Sequence, residues 1–349
     1  MARRPLSQLK QTTNVNELRL TCINYGVSVD AYCSVRRDPM TISKYLRGTA
    51  LAGVAMLAAT ATMADTFRYA TTTDPQTLDP HAVNSAPVLS FLNNVYEGLV
   101  RRGRGMAIEP SLATAWAPLE GENGWRFSLR EGVTFHDGSA FTSADVMFSY
   151  ERASNEASDV RSWFSPVTEV RVVDDLTVEF VTNAPNPLFP DSIANFMIMD
   201  SDWAAANDSA LPARDAENFA TRNSNGTGPY QITARDPGVM TRLSQNTGWW
   251  DDDFGNATEA ELTPIGNAAT GLAALLSGEI DFIEPVPLQD VAQVEGRDGF
   301  KVLEGEETRV IMFGFGHEHD ALLYSSDVTD TNPFQDARVR MAAAHAINI

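Results

Sequence analysis

Between Trp125 and Tyr150 the apolar side chains change period once, and that change limits what the chain can fold into. Trp125, Phe127 and Leu129 alternate with Arg126 and Ser128, the period of a half-buried strand. His136-Asp-Gly138 closes the next extended piece as a turn. Thr142-Ser-Ala-Asp145 then reads as a capping box, opening a helix that carries Val146, Phe148 and Tyr150. The same alternation of types recurs along the chain. Phe67 to Ala70 predicts a strand, and Val88, Leu89, Leu92, Val95 and Leu99 fall close to helical spacing. Val170 to Val181 holds two β-rich pieces around Asp174-Asp175, a hairpin signal. Gln231 to Ala234 and Thr241 to Ser244 flank a Pro237-Gly238 turn, Thr270 to Leu276 is a helix stopped by Gly278, and Ile280 to Ile283 is a strand. Strands and helices mixed at irregular lengths predict an α/β protein, not a sandwich or a bundle.

Upstream of this body lies a different kind of segment. Met40 to Arg47 is short and basic, Gly48 to Ala61 is apolar and free of charge, and Thr62-Met-Ala64 ends in small residues before Asp65. These are the parts of a secretory signal peptide, with cleavage expected near Ala64 and the mature chain exported to the periplasm. The apolar run is short of the about 20 residues that span a bilayer. Thr60, Thr62 and Asp65 follow it too closely to favour the rival reading, a signal anchor. No cysteine follows the run, which disfavours a lipid anchor. Residues 1–39 are polar and aperiodic and would place the signal internally, so they are expected to be an upstream extension, with Met40 as the true start. Both cysteines, Cys22 and Cys33, fall in that prefix. The body therefore needs no disulfide and holds no thiolate site.

Charge narrows the partners. The chain carries 46 acidic and 26 basic side chains, a net −20. Residues 1–64 hold eight basic against three acidic groups, so the body bears the whole excess. A body this acidic repels nucleic acid, and no nucleic-acid partner is expected.

Catalytic constellations are missing from the pattern. Gly226-Thr-Gly-Pro-Tyr230 lacks the Lys-Ser/Thr of a phosphate loop, and Pro229 removes a donor, so it reads as a tight turn before a strand. His317-Glu-His319 would offer two imidazoles on one face only if it were a strand; no third ligand is evident, and a solvated turn is the expectation. Asp251-Asp-Asp253 reads as a solvated loop. No nucleophile, base and orienter come together, and no enzymatic activity, cofactor or metal is expected. The aromatic pairs Trp163-Phe164 and Trp249-Trp250 stand beside turns; the second is expected in the core, while Trp163 could equally wall a site for an organic solute.

The residues from Trp125 to Gly138, followed by Phe141-Thr-x-Ala-Asp-Val-x-Phe-Ser149, resemble the signature stretch of the family 5 extracellular solute-binding proteins, the dipeptide, oligopeptide and nickel receptors of ABC importers. Thr77-Leu-Asp-Pro-His81 with Val95-Tyr-Glu-Gly-Leu99 is similar to the family's opening. Gly226 to Tyr230 with Asn246-x-x-Trp-Trp250 is similar to its middle. Ala274 to Asp281 fits its later strand entry, and Asn332 to Arg340 with Ala344 to Ile347 resembles the start of its second lobe. The blocks stand in family order over residues 66 to 349.

The resemblance implies a two-lobed periplasmic binding protein of type II, in its extended three-subdomain class. Residues 65–299 would form lobe I and 300–349 the start of a lobe II whose larger part is missing, since family members continue for roughly 150–200 residues more. It implies binding of a peptide or similar small organic solute for a permease of the inner membrane, by a monomer. A chelated-metal or haem receptor of the same fold, a periplasmic chaperone or sensor subunit, and a non-functional fragment stay open as alternatives. By the same resemblance the first-lobe solute contacts are Val83 and Asn84 after the first strand, Trp163 as a stacking wall, and Asn195 and Phe196 on a loop near the cleft. A receptor of this kind traps its solute by closing two lobes, and one lobe alone cannot shield the solute from water, so affinity is expected to fall severely or vanish.

Overall fold

The computed structural model describes residues 21–24, 27–30, 66–251, 255–305 and 312–347. The expected signal segment 40–64 lies outside the described residues. Two compact units are present, one running to Glu307 and one from Thr308.

The strands run in chain order as β1 (Thr21–Asn24), β2 (Val27–Asp30), β3 (Thr66–Thr71), β4 (Val100–Arg102), β5 (Ile108–Pro110), β6 (Ala113–Pro118), β7 (Gly124–Leu129), β8 (Val167–Asp174), β9 (Thr177–Thr182), β10 (Tyr230–Asp236), β11 (Met240–Gln245), β12 (Glu259–Pro264) and β13 (Phe282–Glu284). β1 and β2 pair antiparallel within the prefix that the sequence pattern leaves unstructured. In the larger unit a five-stranded sheet has the order β10-β11-β12-β3-β13, with β12 and β13 both parallel to β3. A four-stranded antiparallel sheet has the order β6-β7-β9-β8.

Each sheet covers its own core. The alternation read in β7 puts Phe127 and Leu129 inward, where they meet Val178 and Phe180 of β9 and Val146 of the helix Ser143–Ala153. On the opposite face Arg126, Glu179 and Arg171 stand in register across β7, β9 and β8, and Arg126 and Glu179 pair at 2.5 Å. The five-stranded sheet packs Phe67, Leu243 and Leu262 against Leu78, Leu89, Leu92 and Tyr96. A third cluster joins Ala70 and Ile283 to Leu272 and Leu275 of the helix Ala268–Ser277. That helix starts on an Asn267 N-cap and stops at Gly278, which takes the left-handed conformation at φ 78°. Phe300 and Val302 pack on this third cluster and Leu303 on the second, so the larger unit extends beyond the 299 boundary expected from sequence.

Two ion pairs fasten β3. Arg68 grips the Asp281 carboxylate through Nε and Nη2 at 3.0 and 2.8 Å, and the Arg68 backbone N–H donates to the same side chain at 2.9 Å. Beyond its end, Asp74 accepts from Arg235 of β10 at 3.0 Å.

One expected element is shorter than its pattern. The helix over Pro87 to Leu99 ends after Leu92, its span being Ala86–Leu92. The backbone carbonyls of Asn94 and Val95 accept instead from Tyr230 and Gly228, at 3.0 and 2.9 Å, which a continuing helix would forbid. Val95 and Leu99 are still fully buried, so their spacing reports burial on a turn and on the bend that leads into β4, not a helix.

In the smaller unit the helix Ala337–Ala346 opens on an Asp336 N-cap that accepts from the Arg338 N–H at 2.8 Å. Asn332 organises the segment before it, donating to the carbonyls of Gly316 and His319, both at 2.8 Å. Phe315 and Phe334 pack at 4.9 Å.

Candidate functional site

The turn that follows β3 carries the first expected contacts, and a buried ion pair holds it. Asp79 accepts both terminal nitrogens of Arg152 at 2.6 Å, and both side chains are fully buried. Burial disfavours the Asp79 charge, but the Arg152 hydrogen bonds and positive charge prevail and hold its carboxyl below the usual carboxylate range. Arg152 spends its other donors on the Ser209 and Leu211 carbonyls, at 3.0 and 3.1 Å. It also donates to Nδ1 of His81 at 3.1 Å. With that nitrogen accepting, the His81 proton sits on Nε2 and is given to the Met197 carbonyl at 2.9 Å. Burial, reinforced by the Arg152 charge, pushes His81 down to about 3, so the ring is neutral.

This histidine gathers the remaining expected segments. Its ring stacks on Phe196 with centroids 6.0 Å apart. Its backbone carbonyl accepts from the Asp159 N–H and the Ser158 hydroxyl, both at 3.1 Å. Asp159 returns the tie by accepting the Asn84 N–H at 2.8 Å. Four residues later Trp163 sits on the 3-10 turn Arg161–Phe164, its N–H bonded to the Val160 carbonyl at 3.0 Å. The Trp163 ring is half-buried and packs against the cores of both sheets, on the second of which Val83 also packs. Asn195 is half-buried, and its side-chain carbonyl accepts weakly from Asn93 at 3.5 Å.

The structure thus brings together the 81–84 turn, the 158–163 segment and the 195–197 segment. Val83, Asn84, Trp163 and Asn195 keep accessible surface there. Phe196 does not. Its side chain is 0% exposed, wedged between His81 and Phe164, and this corrects the expectation that it faces solute: the ring backs the segment from the core.

A second node lies beside the first and was not singled out from sequence. Glu97 is buried and accepts three hydrogen bonds, from Thr227 Oγ1 at 2.9 Å, Trp249 Nε1 at 3.2 Å and Trp250 Nε1 at 2.9 Å. Burial raises its carboxyl to about 7 against the pull of those donors and of Arg101. The Gly-rich turn reaches Glu97 only because Gly226 and Gly228 press on the backbone of Val95; a Cβ on Gly226 would stand 1.9 Å from the Val95 carbonyl oxygen. His136 clasps the same turn, donating from Nε2 to the Gly228 carbonyl at 3.0 Å and accepting the Gly226 N–H at 3.3 Å. Trp249 and Trp250 are accordingly half-buried hydrogen-bond donors, Trp250 also packing against the core of the four-stranded sheet, and Arg130 lies 3.8 Å over the Trp250 ring. The sequence signal for this node was an acid amid apolar neighbours, Val95-Tyr-Glu-Gly-Leu99.

The other polar candidates stay dispersed. His317 and His319 lie exposed in a loop, and no group of three metal-ligating side chains occurs among the described residues. Asp251 pairs with Arg101 at 3.1 Å, and its two acidic neighbours lie outside the described residues.

The comparisons with known proteins agree with this architecture. Helicobacter pylori DppA, a periplasmic binding protein solved with the peptide STSA, superposes with a TM-score of 0.58 at 24% identity, over 67% of this chain and 49% of that one. An Agrobacterium periplasmic binding protein solved with agropinic acid reaches a TM-score of 0.61 at 24% identity, over 67% and 46%. These neighbours share the mixed α/β fold of type II periplasmic binding proteins. Among curated relatives, the glutathione-binding protein GsiB of Pectobacterium atrosepticum is 27% identical over 273 residues, 78% of this chain and 49% of its own length. An Escherichia coli GsiB is 24% identical over 274 residues, 78% of this chain and 50% of that one. The chain spans about half the length of the curated relatives it matches. The family model for the bacterial extracellular solute-binding proteins, family 5, matches residues 107–349, most of the chain, and the chain belongs to that family.

Proposed function

We propose that this chain forms the first solute-binding lobe of an ABC-importer receptor for peptides or similar organic solutes. The observation that carries the reading is the placement of Trp163, a half-buried indole on a short turn whose approach is tied at both Ser158 and Asp159 to the 81–84 turn. Such a ring offers flat apolar area at small entropic cost, and the exposed amides of Asn84 and the half-buried Asn195 supply donors and acceptors beside it. Relatives that bind glutathione, itself a peptide, and a fold neighbour solved with a tetrapeptide support a peptide-like solute. The receptor would reach the periplasm by the signal at 40–64, act as a monomer and deliver its solute to an inner-membrane permease.

The test is ligand-observed NMR on the full chain, which detects weak binding, with glutathione, a dipeptide and a nickel–histidine complex as probes. Saturation should transfer to a peptide and be lost in Trp163→Ala. Transfer to none of the probes, or transfer that survives Trp163→Ala unchanged, overturns the reading; transfer to the nickel complex alone replaces it with a metal-chelate receptor.

A further inference from the structure

We propose that Glu97 is a proton-operated latch: as a carboxylate it clamps Trp249 and Trp250 onto the Thr227 turn, and on protonation it slackens its hold on Trp250 while the lobe stays folded. This inference is independent of which solute the lobe binds.

Oε2 of Glu97 receives the Thr227 hydroxyl and the Trp250 N–H, and Oε1 receives the Trp249 N–H. All three are donors, a set that only the ionised, acceptor-only carboxylate satisfies in full. An indole N–H cannot reverse its bond, whereas a hydroxyl can. An arriving proton is therefore accommodated on Oε2, with Thr227 Oγ1 turning to accept it. The Trp250 N–H shares that oxygen and loses a charge-assisted bond.

The surroundings set when this happens and what moves. Arg101 of β4 favours the ionised form, and it is itself held by Asp251 at 3.1 Å and by Glu109 at 4.0 Å. Arg130 faces the Trp250 ring from the end of β7 at 3.8 Å, and Arg101 lies 5.8 Å from the same ring. His136 stands behind the Gly-rich turn, neutral and with both ring nitrogens engaged. From the 198–200 segment, Asp200 is occupied by Asn225 at 3.0 Å and by Ser139 at 2.5 Å. Burial outweighs these influences and brings Glu97 to about 7, so modest acidification changes its state. What is freed is the indole on which Arg130 rests, followed in sequence by Asp251, the partner of Arg101.

The test follows the indole signals of near-ultraviolet circular dichroism in the full chain from pH 5.5 to 8.5, with far-ultraviolet dichroism verifying that the fold persists. A sigmoidal change centred near 7 is expected in the wild type and its disappearance in Glu97→Gln. If that variant does not fold, Trp250→Phe carries the test. It removes one donor from the carboxylate and should move the remaining Trp249 signal to a midpoint higher by about half a pH unit or more. The His136 ring resonance, read in the same samples, should titrate at lower pH. A flat wild-type profile, a transition retained in Glu97→Gln, a midpoint unmoved in Trp250→Phe, or a transition coinciding with His136 overturns the latch.

Discussion

Burial acts on His81 and Glu97 in the same way, by disfavouring charge, yet the two residues bend the stability of the chain in opposite directions with pH. His81 stays neutral in the folded chain down to about 3, while unfolded it takes a proton near 6.5, so stability falls as pH drops through that window. Glu97 keeps its proton when folded up to about 7, while unfolded it ionises near 4.5, so its contribution is full below 4.5 and is lost as pH rises through 7. Between about 4.5 and 6.5 the two slopes oppose each other. Glu97→Gln leaves only the first. Across pH 4.5 to 7 the variant should gain on the wild type by about 3 kcal/mol in urea-unfolding free energy. A difference between the two proteins that does not vary with pH would show that Glu97 is not the buried titrating group. The Asp79–Arg152 pair sits beside these groups as an anchor whose desolvation is offset by the bidentate geometry and the further bonds to Ser209 and Leu211.

At the scale of elements, the Gly-rich turn is a tight joint, pressed against the Val95 backbone. Gly228→Ala would set a Cβ 2.7 Å from the Val95 carbonyl carbon, against backbone that cannot step aside. Urea denaturation should show a loss of about 2 kcal/mol or more. Gly132→Ala, at φ 77° with nothing within 4 Å of the added carbon, should cost only about 1 kcal/mol. Equal losses at the two positions would mean that the close approach to Val95 is not what fixes the turn. Local elements of this kind were legible in the sequence wherever a side chain announced its own backbone. The capping box at Thr142 is present with both reciprocal bonds, β8 and β9 form the expected hairpin with Asp174 ending the first strand and Asp175 in the turn, and Asn267 and Gly278 bound their helix. The Ala86–Leu92 helix was overread because its apolar period continues past the point where carbonyls are taken by the Gly-rich turn, a partner about 130 residues away. Glu97 and Arg152 escaped for the same reason: what buries them comes from distant segments. Of the expected solute contacts, Val83, Asn84, Trp163 and Asn195 kept accessible surface, and Phe196, a large apolar ring next to Met197 and Ile198, went inside.

For the molecule as a whole, two sheets with separate cores meet where the motif blocks converge. Trp163 packs on both cores at once, so its ring is positioned by the junction itself. That placement, rather than any catalytic group, is what the account rests on. The most direct measurement is a heteronuclear spectrum of the chain with 15N-labelled indoles, six in all, titrated with a tripeptide. The Trp163 Nε1–H resonance, assigned by its absence in Trp163→Phe, should move with added peptide while those of Trp249 and Trp250, bonded to Glu97, stay in place. An unmoved Trp163 resonance at saturating peptide, or movement confined to Trp249 and Trp250, would contradict the account.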